Sequence, residues 1–462
     1  MAKYFGTNGV RGRFDELDPA LAMKLAQMIG AYFSKGRPAG KSAKAKIIIA
    51  RDCRLTGGVL RDSVAAGLAS VGCDIVDLGV ASSPTAEYLV KKLGADGLII
   101  ITASHNPPEW NALKVVDGRG IAISKERGEK IEELLGAANA VQWDHVGKTT
   151  SYDRAVTDHI EAICGHIDRK KITERNKSKK LKVVLDCGNG TAASIAPKLF
   201  CDLGFEIMTI NGHMDGRFPG RASEPSETNV KDLISAVKSI GADAGIAWDG
   251  DGDRVIFVDE RGAYVIGDKV FALCILWKMM KAKPGKEGGD IVTTVATSKA
   301  VEDIATKFGA SVRYTAIGAP YLCEEMTKKS ALLGGEEVGG VIFPELCLAK
   351  DGFMTAAKLA EALCEKPLSG WLKEIPVYYN VKRKIEAKDA KMKSAIVERA
   401  LSHAKAKKLV FITVDGVRVN LKDAWVIVRA SGTENYVRVF AEARTESEAK
   451  RLADEYEKIA KG

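Results

Sequence analysis

The sequence predicts three similar α/β domains, each built on a doubly wound and mainly parallel sheet, followed by a smaller α+β domain. Within the 462 residues, an apolar strand, a small-residue loop, an alanine-rich helix, a glycine and a second strand follow one another three times. Apolar strands that alternate with helices are typical of parallel sheets buried on both faces. After Pro376 this order gives way to short strands framed by two helices, which is typical of an antiparallel α+β domain.

The three repeats can be followed in order along the chain. Each consists of a strand, a helix and a second strand, which we predict at 47–49, 60–70 and 75–78, at 183–185, 192–203 and 206–210, and at 291–295, 298–308 and 312–315. The tripeptide Gly-Ala-Asp also precedes two further predicted strands, at 98–101 and 245–248. We therefore expect the loops after these two strands to be equivalent and to carry the two halves of one site.

The C-terminal part has a different order of elements. We predict helices at 387–406 and 447–461, and between them strands at 409–413, 417–421, 425–428 and 437–443. The predicted domains accordingly cover residues 1–152, 153–255, 256–371 and 372–462.

Composition excludes several classes of protein. With 46% hydrophobic and 28% charged residues, the chain has the composition of an ordinary globular protein. It has neither an apolar run of the ~18 residues that a membrane helix needs nor an N-terminal signal peptide, so we expect a cytoplasmic protein with no membrane partner. Nine scattered cysteines without a Cys-x-x-Cys pair argue against a disulfide framework and against a thiolate zinc site.

The formal net charge of +9 raises the question of an anionic partner. Basic residues cluster at 169–171 and 177–182, but no aromatic side chains lie among them to stack on nucleic-acid bases. We interpret this stretch as a linker or a solvent-exposed edge. An acidic small molecule is therefore a better candidate ligand than a nucleic acid.

Ser104 lies where open parallel sheets usually present their chemistry. It follows the apolar strand residues 99–101, and Pro107 and Pro108 prevent an immediate helix. Ser104 is therefore predicted on a constrained loop at the carboxyl end of a strand, where such sheets bind their ligands. Considered alone, a serine at this position is an ordinary turn residue.

The segment 249–254, Asp-Gly-Asp-Gly-Asp-Arg, carries the sharpest chemical signal. Asp249, Asp251 and Asp253 alternate with glycines that let the backbone curl, so three carboxylates can converge on one hard cation such as Mg²⁺. A calcium EF-hand loop is the alternative, but Arg254 occupies its sixth position, which requires glycine, and the flanking segments are predicted strands. A purely structural turn would leave three carboxylates repelling one another.

Two later loops contain groups suited to a sugar phosphate. The first is a glycine-rich segment at 333–340, in which Glu336 and Glu337 could accept hydrogen bonds from sugar hydroxyls, although in isolation it is only a turn. The second follows the predicted strand at 425–428 and is either a phosphate cradle or a polar hairpin turn. Its candidate phosphate-binding residues are Arg429, Ser431, Gly432 and Thr433.

Three segments nearer the N-terminus contain further cations or glycines. Arg11 lies in a glycine-rich loop at 5–12 and could meet a phosphate, and Lys114 is a second cation close to the Ser104 loop in sequence. Residues 36–42 resemble a P-loop, but they lack its spacing and precede a strand instead of following one. We predict an exposed loop there.

Together, and in this order, these segments resemble the α-D-phosphohexomutase superfamily over essentially the whole chain. The serine loop 102–107 and the acidic loop 249–254 match its two most specific motifs, and segments 335–340 and 429–434 resemble its sugar-binding and phosphate-binding loops. The resemblance implies three α/β domains and a C-terminal domain resembling the TATA-box-binding fold, arranged around a central cleft.

The resemblance also implies roles for individual residues. Ser104 would be the phosphoserine, and its phosphate would bind Mg²⁺ together with Asp249, Asp251 and Asp253. Three residues would surround the transferring phosphoryl group, namely Arg11, His105 as a supporting acid or donor, and Lys114 as general base. The sugar would contact Arg254, Glu336 and Val338, and its other phosphate would contact Arg429, Ser431, Gly432 and Thr433.

The implied reaction is the interconversion of a hexose 6-phosphate and a hexose 1-phosphate. Phospho-Ser104 would phosphorylate the free hydroxyl to give a hexose 1,6-bisphosphate, which would turn over and return its other phosphate to the serine. The bisphosphate would also serve as activator. We expect a hexose phosphate as the small-molecule partner, no nucleic-acid partner, and a monomer or homodimer.

Details of the motifs bear on the substrate. The opening segment 3–12 resembles phosphoglucosamine mutases, whereas the sugar loop and the segments 343–344 and 350–352 resemble archaeal-type phosphoglucomutase/phosphomannomutases. Five residues depart from the usual family pattern, namely Asn8, Ala319, Val338, Gly340 and Asn435. The resemblance favours a phosphoglucosamine mutase, with a phosphoglucomutase/phosphomannomutase as the alternative. A Mg²⁺-dependent sugar-phosphate phosphatase and a non-catalytic sugar-phosphate binding protein are more distant alternatives.

Overall fold

The computed structural model describes residues 4–6, 9–36, 44–281, 289–431 and 434–462. The loop compared above with a P-loop therefore lies outside the described residues except for Gly36, as do Asn8, Gly432 and Thr433. The chain divides into two compact units, Met1–Val270 with Val338–Trp371 and Phe271–Glu337 with Leu372–Gly462. The four predicted domain boundaries stay a prediction.

The first sheet belongs to the first unit and has six strands in the order β1-β5-β4-β2-β3-β6. Its strands are β1 (Val10–Arg13), β2 (Lys46–Arg51), β3 (Asp74–Val80), β4 (Gly97–Ile101), β5 (Trp110–Asp117) and β6 (Thr149–Ser151). The accompanying helices are α1 (Pro19–Lys35), α2 (Gly57–Ser70), α3 (Ser83–Lys92) and α4 (Lys125–Glu132), and a short 3₁₀ helix covers Trp143–His145. Strands β2, β3, β4 and β6 are parallel, whereas β5 and β1 are antiparallel to their neighbours.

Both faces of this sheet are covered, as the uninterrupted apolar strands predict. Along β2, Ile47 and Ile49 belong to the hydrophobic cluster formed with α1 and α2. Ile48 points to the opposite face, into the cluster that contains Ala86 and Leu89 of α3. Because side chains alternate along a strand, a sheet buried on both sides needs an apolar residue at every position.

The second sheet also belongs to the first unit and has five strands in the order β11-β10-β9-β7-β8. Its strands are β7 (Lys182–Asp186), β8 (Glu206–Ile210), β9 (Ala244–Trp248), β10 (Val255–Asp259) and β11 (Tyr264–Val265). Its helices are α5 (Ala155–Gly165), α6 (Arg169–Asn176), α7 (Ala192–Asp202) and α8 (Lys231–Ile240). Helix α9 (Gly267–Lys281) begins in the first unit and continues from Phe271 in the second. Strand β7 is parallel to β8 and β9, and β10 is antiparallel to β9.

The basic stretch interpreted as a linker or exposed edge begins with a helix. Arg169 and Lys170 are exposed at the start of α6, and Lys177, Lys179 and Lys180 are exposed after it. The linker interpretation is therefore wrong for residues 169–176, because Ile172 gives that helix a buried contact, whereas the exposed position of the lysines agrees with the prediction.

A third sheet contributes to the second unit. Strand β12 (Asp290–Thr294) is parallel to both β13 (Val312–Thr315) and β14 (Ala331–Gly335), with helices α10 (Lys299–Lys307) and α11 (Ala319–Lys328). The chain then returns to the first unit, where β15 (Val341–Ile342) and α12 (Gly352–Ala362) lie, and α13 (Leu368–Leu372) follows.

The C-terminal part of the second unit is an antiparallel sheet in the order β16-β20-β19-β18-β17. Its strands are β16 (Tyr379–Glu386), β17 (Val410–Ile412), β18 (Val417–Asn420), β19 (Ala424–Ala430) and β20 (Tyr436–Ala443), with helices α14 (Ala390–Ala406) and α15 (Glu446–Lys461). The predicted fold class, three mainly parallel α/β domains and a C-terminal α+β domain, is confirmed. Seven of the described strands were missed, namely β1, β5, β6, β11, β14, β15 and the mostly polar edge strand β16.

Two sequence-based exclusions can be compared with the structure. All nine cysteines lie within the described residues, where none is joined to another in a disulfide, and five of them are buried. Among the described residues, none of the helices combines the length and the apolar character that crossing a bilayer requires.

Candidate active site

Ser104 lies on a short loop between β4 and β5. Its backbone is left-handed, with φ of 50°, a region that non-glycine residues enter only when surrounding contacts hold them there. The Ser104 N–H donates to Thr102 Oγ1 at 2.9 Å, and the Thr102 hydroxyl donates to Asp52 Oδ2 at 2.7 Å. The loop is therefore held in one conformation from inside the sheet.

The serine hydroxyl meets the acidic loop that follows β9. Ser104 Oγ donates to Asp249 Oδ2 at 2.6 Å, although the two residues are 145 positions apart in the chain. Gly250 makes this approach feasible, since a Cβ there would lie 2.8 Å from the Ser104 carbonyl oxygen and 2.6 Å from Ser223 Oγ. Only glycine leaves room for the two loops to touch.

Asp249, Asp251 and Asp253 are buried and form a group that could hold a metal ion. One oxygen from each lies within 4.8 Å of the others. For Asp251 and Asp253, Oδ2 is engaged by the protein, the former accepting from Ser83 Oγ at 2.6 Å and the latter lying 3.3 Å from Lys350 Nζ. Their Oδ1 atoms are buried and have no hydrogen-bond partner.

This arrangement fits a hard cation. Buried polar atoms almost always have partners, so two orphaned carboxylate oxygens in one cluster indicate a missing positive group. Carboxylate oxygens are the ligands that Mg²⁺ and Ca²⁺ prefer. Burial, together with the charges of Asp251 and Asp253, raises the pKa of Asp249 well above its usual value, which is the repulsion that a cation would relieve.

Lys114 lies on β5 beside this cluster. Its Nζ is 3.1 Å from Glu87 Oε1 and 3.9 Å from Asp253 Oδ2. Burial lowers the pKa of Lys114, but Glu87, Asp253 and Asp251 outweigh that effect and the pKa is raised overall. A lysine held protonated in this way is suited to neutralising phosphate charge, and its general-base role stays a prediction.

Burial and neighbouring charges also shift the pKa values of the carboxylates near Lys114. Burial raises the pKa of Glu87 to about 7 despite the nearby ammonium of Lys114. For Asp253, burial acts in the same upward direction, but Lys350, Lys114 and Arg254 outweigh it and hold its pKa below the usual range. Asp253 therefore stays ionised and available to a cation.

Arg11 and His105 lie near the same loop. Arg11, on β1, donates from Nη1 to Asn106 Oδ1 at 2.6 Å. Burial lowers the pKa of His105 to about 3, and the guanidinium charges of Arg254 and Arg11 add to the effect. We therefore expect a neutral imidazole, which can form a hydrogen bond to a phosphate but cannot act as a cationic acid.

Two other predicted site residues, Arg254 and Val338, also belong to the first unit. Arg254, the last residue of the acidic loop, forms an ion pair with Glu224. Val338 is half-buried, and the neighbouring Gly339 has a positive φ of 88°.

The remaining predicted groups lie in the second unit. Glu336 directly follows β14 and is buried, and the neighbouring Glu337 accepts from Thr294 Oγ1 at 3.4 Å. Arg429, near the end of β19, forms an ion pair with Asp415 at 3.0 Å. The Ser431 carbonyl accepts from Lys393 Nζ at 3.1 Å, and Gly432 and Thr433 lie outside the described residues.

Three residues that contact the predicted groups were not identified from the sequence. Ser83 bonds to Asp251, Glu87 pairs with Lys114, and Lys350 lies beside Asp253. The Ser-Ser-Pro-Thr segment around Ser83 is recognisable as a helix start, and Ser82 does cap α3. Nothing local indicates which distant carboxylate such a serine will meet.

Comparison with known families agrees along the whole chain. Residues 2–141, 157–262 and 266–379 match the profiles described as phosphoglucomutase/phosphomannomutase alpha/beta/alpha domains I, II and III. Residues 372–459 match the C-terminal domain of the same family.

Relatives of this chain match it over nearly its full length. It is 38% identical over 456 residues to a phosphoglucomutase/phosphomannomutase of Thermococcus kodakarensis, covering 97% of this chain and 96% of the relative. It is 37% identical to a phosphoglucosamine/phosphogalactosamine mutase of Sulfurisphaera tokodaii, covering all of both chains. It is 36% identical to a probable phosphoglucosamine mutase of Methanopyrus kandleri, covering 100% and 98%.

Solved structures show the same fold. A phosphoglucomutase/phosphomannomutase family protein from Burkholderia thailandensis superposes with a TM-score of 0.86 at 26% identity, covering 98% of this chain and 96% of that one. A putative phosphomannomutase from Thermus thermophilus superposes with a TM-score of 0.81 at 24% identity, covering 99% of both, and supports the fold alone.

Proposed function

This chain belongs to the phosphoglucomutase/phosphomannomutase family, and we propose that it interconverts glucosamine 6-phosphate and glucosamine 1-phosphate. As a member of that family it is a phosphohexomutase, which is an isomerase. The proposal is supported by two full-length relatives, a probable phosphoglucosamine mutase at 36% identity and a phosphoglucosamine/phosphogalactosamine mutase at 37%. The second candidate is a glucose or mannose phosphate, which is favoured by the 38% identical phosphoglucomutase/phosphomannomutase of Thermococcus kodakarensis.

We propose that Ser104 carries the phosphoryl group. The observation that supports this is the 2.6 Å contact between Ser104 Oγ and Asp249 within the carboxylate cluster. In the first half-reaction the Oγ–P bond of phospho-Ser104 breaks, a bond from phosphorus to the oxygen of the free sugar hydroxyl forms, and the hydroxyl proton ends on Ser104 Oγ. In the second half-reaction the bond between phosphorus and the other sugar oxygen of the hexose 1,6-bisphosphate breaks, Ser104 Oγ takes that phosphoryl group, and the serine proton ends on the sugar oxygen of the released monophosphate.

The surrounding residues would bind the metal ion and neutralise the charge of the phosphate. Asp249, Asp251 and Asp253 would hold Mg²⁺, which when bound neutralises the charge of the transferring group. Lys114 and Arg11 would place two further positive charges at the phosphate. Phosphoryl transfer depends mainly on such positioning and charge neutralisation.

Substrate recognition would fall to residues outside the carboxylate cluster. We propose that Arg254, Glu336 and Val338 contact the sugar, with Glu336 accepting from its hydroxyls. We propose that the loop after β19 binds the phosphate that is not being transferred, through Arg429, Ser431, Gly432 and Thr433. The ion pair between Arg429 and Asp415 supports this role, because it orients the guanidinium at the end of the strand. A cytoplasmic location and a monomeric or homodimeric state remain predictions.

The test is an activity panel on the full chain. Glucosamine, glucose and mannose 6-phosphates are each supplied with Mg²⁺ and a trace of the matching 1,6-bisphosphate, and formation of the 1-phosphate is measured. The glucosamine substrate should give the highest kcat/KM. Higher values for glucose or mannose would select the second candidate, and release of inorganic phosphate in place of isomerisation would identify a phosphatase.

The proposed carrier is tested with Ser104→Ala. Because the variant lacks the attacking oxygen, turnover should fall by more than about 1,000-fold, and the covalent phosphate detected by intact mass should disappear. Ser239→Ala is a matched control, since that exposed hydroxyl bonds only within its own helix. Isomerisation at the wild-type rate by Ser104→Ala would contradict the proposal.

A further inference from the structure

We propose that Arg54 is a positioning residue for Ser104, acting through the main chain of the serine loop. This inference rests on the proposed function of Ser104 as the phosphoryl carrier. Arg54 makes no contact with the carboxylates of the acidic loop among the contacts described here, and its effect on the reaction would pass through backbone geometry.

The Arg54 guanidinium is fully buried beneath the serine loop. Its Nε lies 3.0 Å from Asp52 Oδ2, and both side chains are 0% exposed. Every other N–H of the guanidinium points at a main-chain carbonyl of the segment 104–110. Nη2 donates to Ser104 and Asn106 at 2.9 and 2.7 Å, and Nη1 donates to Pro107 and Trp110.

Arginine is the side chain that this arrangement requires. A guanidinium has five N–H donors in a planar fork, and here all five have acceptors. A lysine would keep the charge opposite Asp52, but its ammonium is a single point with three donors and cannot span four carbonyls. Some of those partly buried carbonyls would then lack a partner within the protein, which favours a rearranged loop.

Both main-chain polar groups of Ser104 are linked to the Asp52–Arg54 pair by hydrogen bonds. The Ser104 carbonyl accepts from Arg54 directly, and the Ser104 N–H bonds to Thr102, whose hydroxyl bonds to Asp52. Between these two anchors the residue keeps its left-handed φ of 50°. That strained conformation directs Oγ at Asp249, so the ion pair controls where the reacting oxygen lies.

The test uses Arg54→Lys in the full chain, with kcat, KM and Mg²⁺ dependence measured separately. We expect kcat to fall on the order of 10- to 100-fold, because a shift of about 1 Å in a reacting atom has an effect of that size. KM and the Mg²⁺ dependence should stay close to wild-type, since neither the sugar site nor the carboxylates are altered. A merely structural role would lower the amount of folded enzyme and leave kcat per folded molecule unchanged.

Arg61→Lys is the matched control. Arg61 pairs with Asp77 in the middle of β3 in the same sheet, but it does not bond to the serine loop. Its kcat should stay at the wild-type value. Thr102→Val is a second variant, which breaks the link between the Ser104 N–H and Asp52 while keeping Arg54, and it should also lower kcat.

The outcomes separate this inference from the proposed function. If Ser104→Ala isomerises at the wild-type rate, the proposed function fails. If Ser104→Ala is inactive but folded Arg54→Lys and Thr102→Val have wild-type kcat, only the positioning inference is overturned. If Arg54→Lys does not fold, Thr102→Val decides alone, a lowered kcat supporting the inference and a wild-type kcat overturning it.

Discussion

In the first sheet, Asp52 follows β2 and pairs with Arg54, which binds four carbonyl oxygens of the loop after the neighbouring parallel strand β4. In the second sheet, Asp186 ends β7 and pairs with Arg221 at 2.6 Å. Arg221 in turn donates to the carbonyl of Trp248, the last residue of the neighbouring parallel strand β9. A buried aspartate–arginine pair thus lies beneath both halves of the candidate site.

The two loops differ in how much they depend on that pair. The serine loop has its carbonyls turned toward Arg54, whereas the acidic loop is also held by itself, since Asp249 Oδ1 accepts from the N–H groups of Gly252 and Arg254 at 3.1 Å each. Arg54 binds four carbonyls of the serine loop, whereas Arg221 reaches the carbonyl of Trp248 before the acidic loop begins, so the acidic loop depends less on its arginine. We therefore expect the equivalent arginine variants to differ both in the size of their effects and in the quantity that they change.

The largest effect in the acidic half should come from Asp251→Asn. Losing one of three carboxylates removes charge and a cation ligand, so activity at the wild-type Mg²⁺ concentration should fall on the order of 100-fold or more. The measurement is a Mg²⁺ titration of activity, with the exposed Asp232→Asn as control. An unchanged Mg²⁺ dependence would show that Asp251 is not a ligand.

Ser83→Ala should give the next largest effect, and it tests whether the first sheet supports the loop of the second. Ser83 begins α3 in the first half and donates to Asp251 Oδ2. Groups that orient a metal ligand typically contribute about 10- to 100-fold in metal affinity, so the Mg²⁺ titration should shift by about that factor. The kcat at saturating Mg²⁺ should stay near wild-type, and a kcat loss without a shift would contradict this role.

Arg221→Lys should have a smaller effect. Because Asp249 already anchors the acidic loop, we expect the Mg²⁺ titration to shift by less than about 10-fold, with kcat at saturating Mg²⁺ near wild-type. The informative comparison is with Arg54→Lys, which should lower kcat and leave the titration in place. If both variants lowered kcat, or both shifted the Mg²⁺ titration, the two arginines would not have the separate roles proposed for them.

The sequence predicted those parts of the molecule whose pattern is local. Runs such as 47–49 and 183–185 identify strands because burial on both faces requires an apolar residue at each position. Ser104 and the three aspartates were recognisable because their loops match known motifs. Strand β16 was missed because it is an edge strand whose residues are mostly polar and exposed, which leaves little apolar periodicity to detect.

The contacts that position the site could not be predicted in the same way. Arg54 bonds to Ser104 across 50 residues, and Ser83 bonds to Asp251 across 168 residues. A single sequence shows which residues can donate hydrogen bonds but not which distant acceptors they will meet. Charge environment has the same limit, because the sequence does not show that Lys114 lies near the carboxylates of Glu87 and Asp253.

The smallest expected effect belongs to Ser223→Ala, which removes one of the two donors to the Ser104 carbonyl. Ser223 Oγ donates to that oxygen at 2.8 Å, but Arg54 donates to it as well, so the carbonyl keeps a partner. We expect the free energy of unfolding to decrease by about 1 kcal/mol in urea denaturation, with kcat close to wild-type. A loss of kcat as large as that of Arg54→Lys would mean that Ser223, which lies between β8 and α8 beside the second sheet, also sets the position of Ser104. The serine loop would then be held by residues beside both the first and the second sheet.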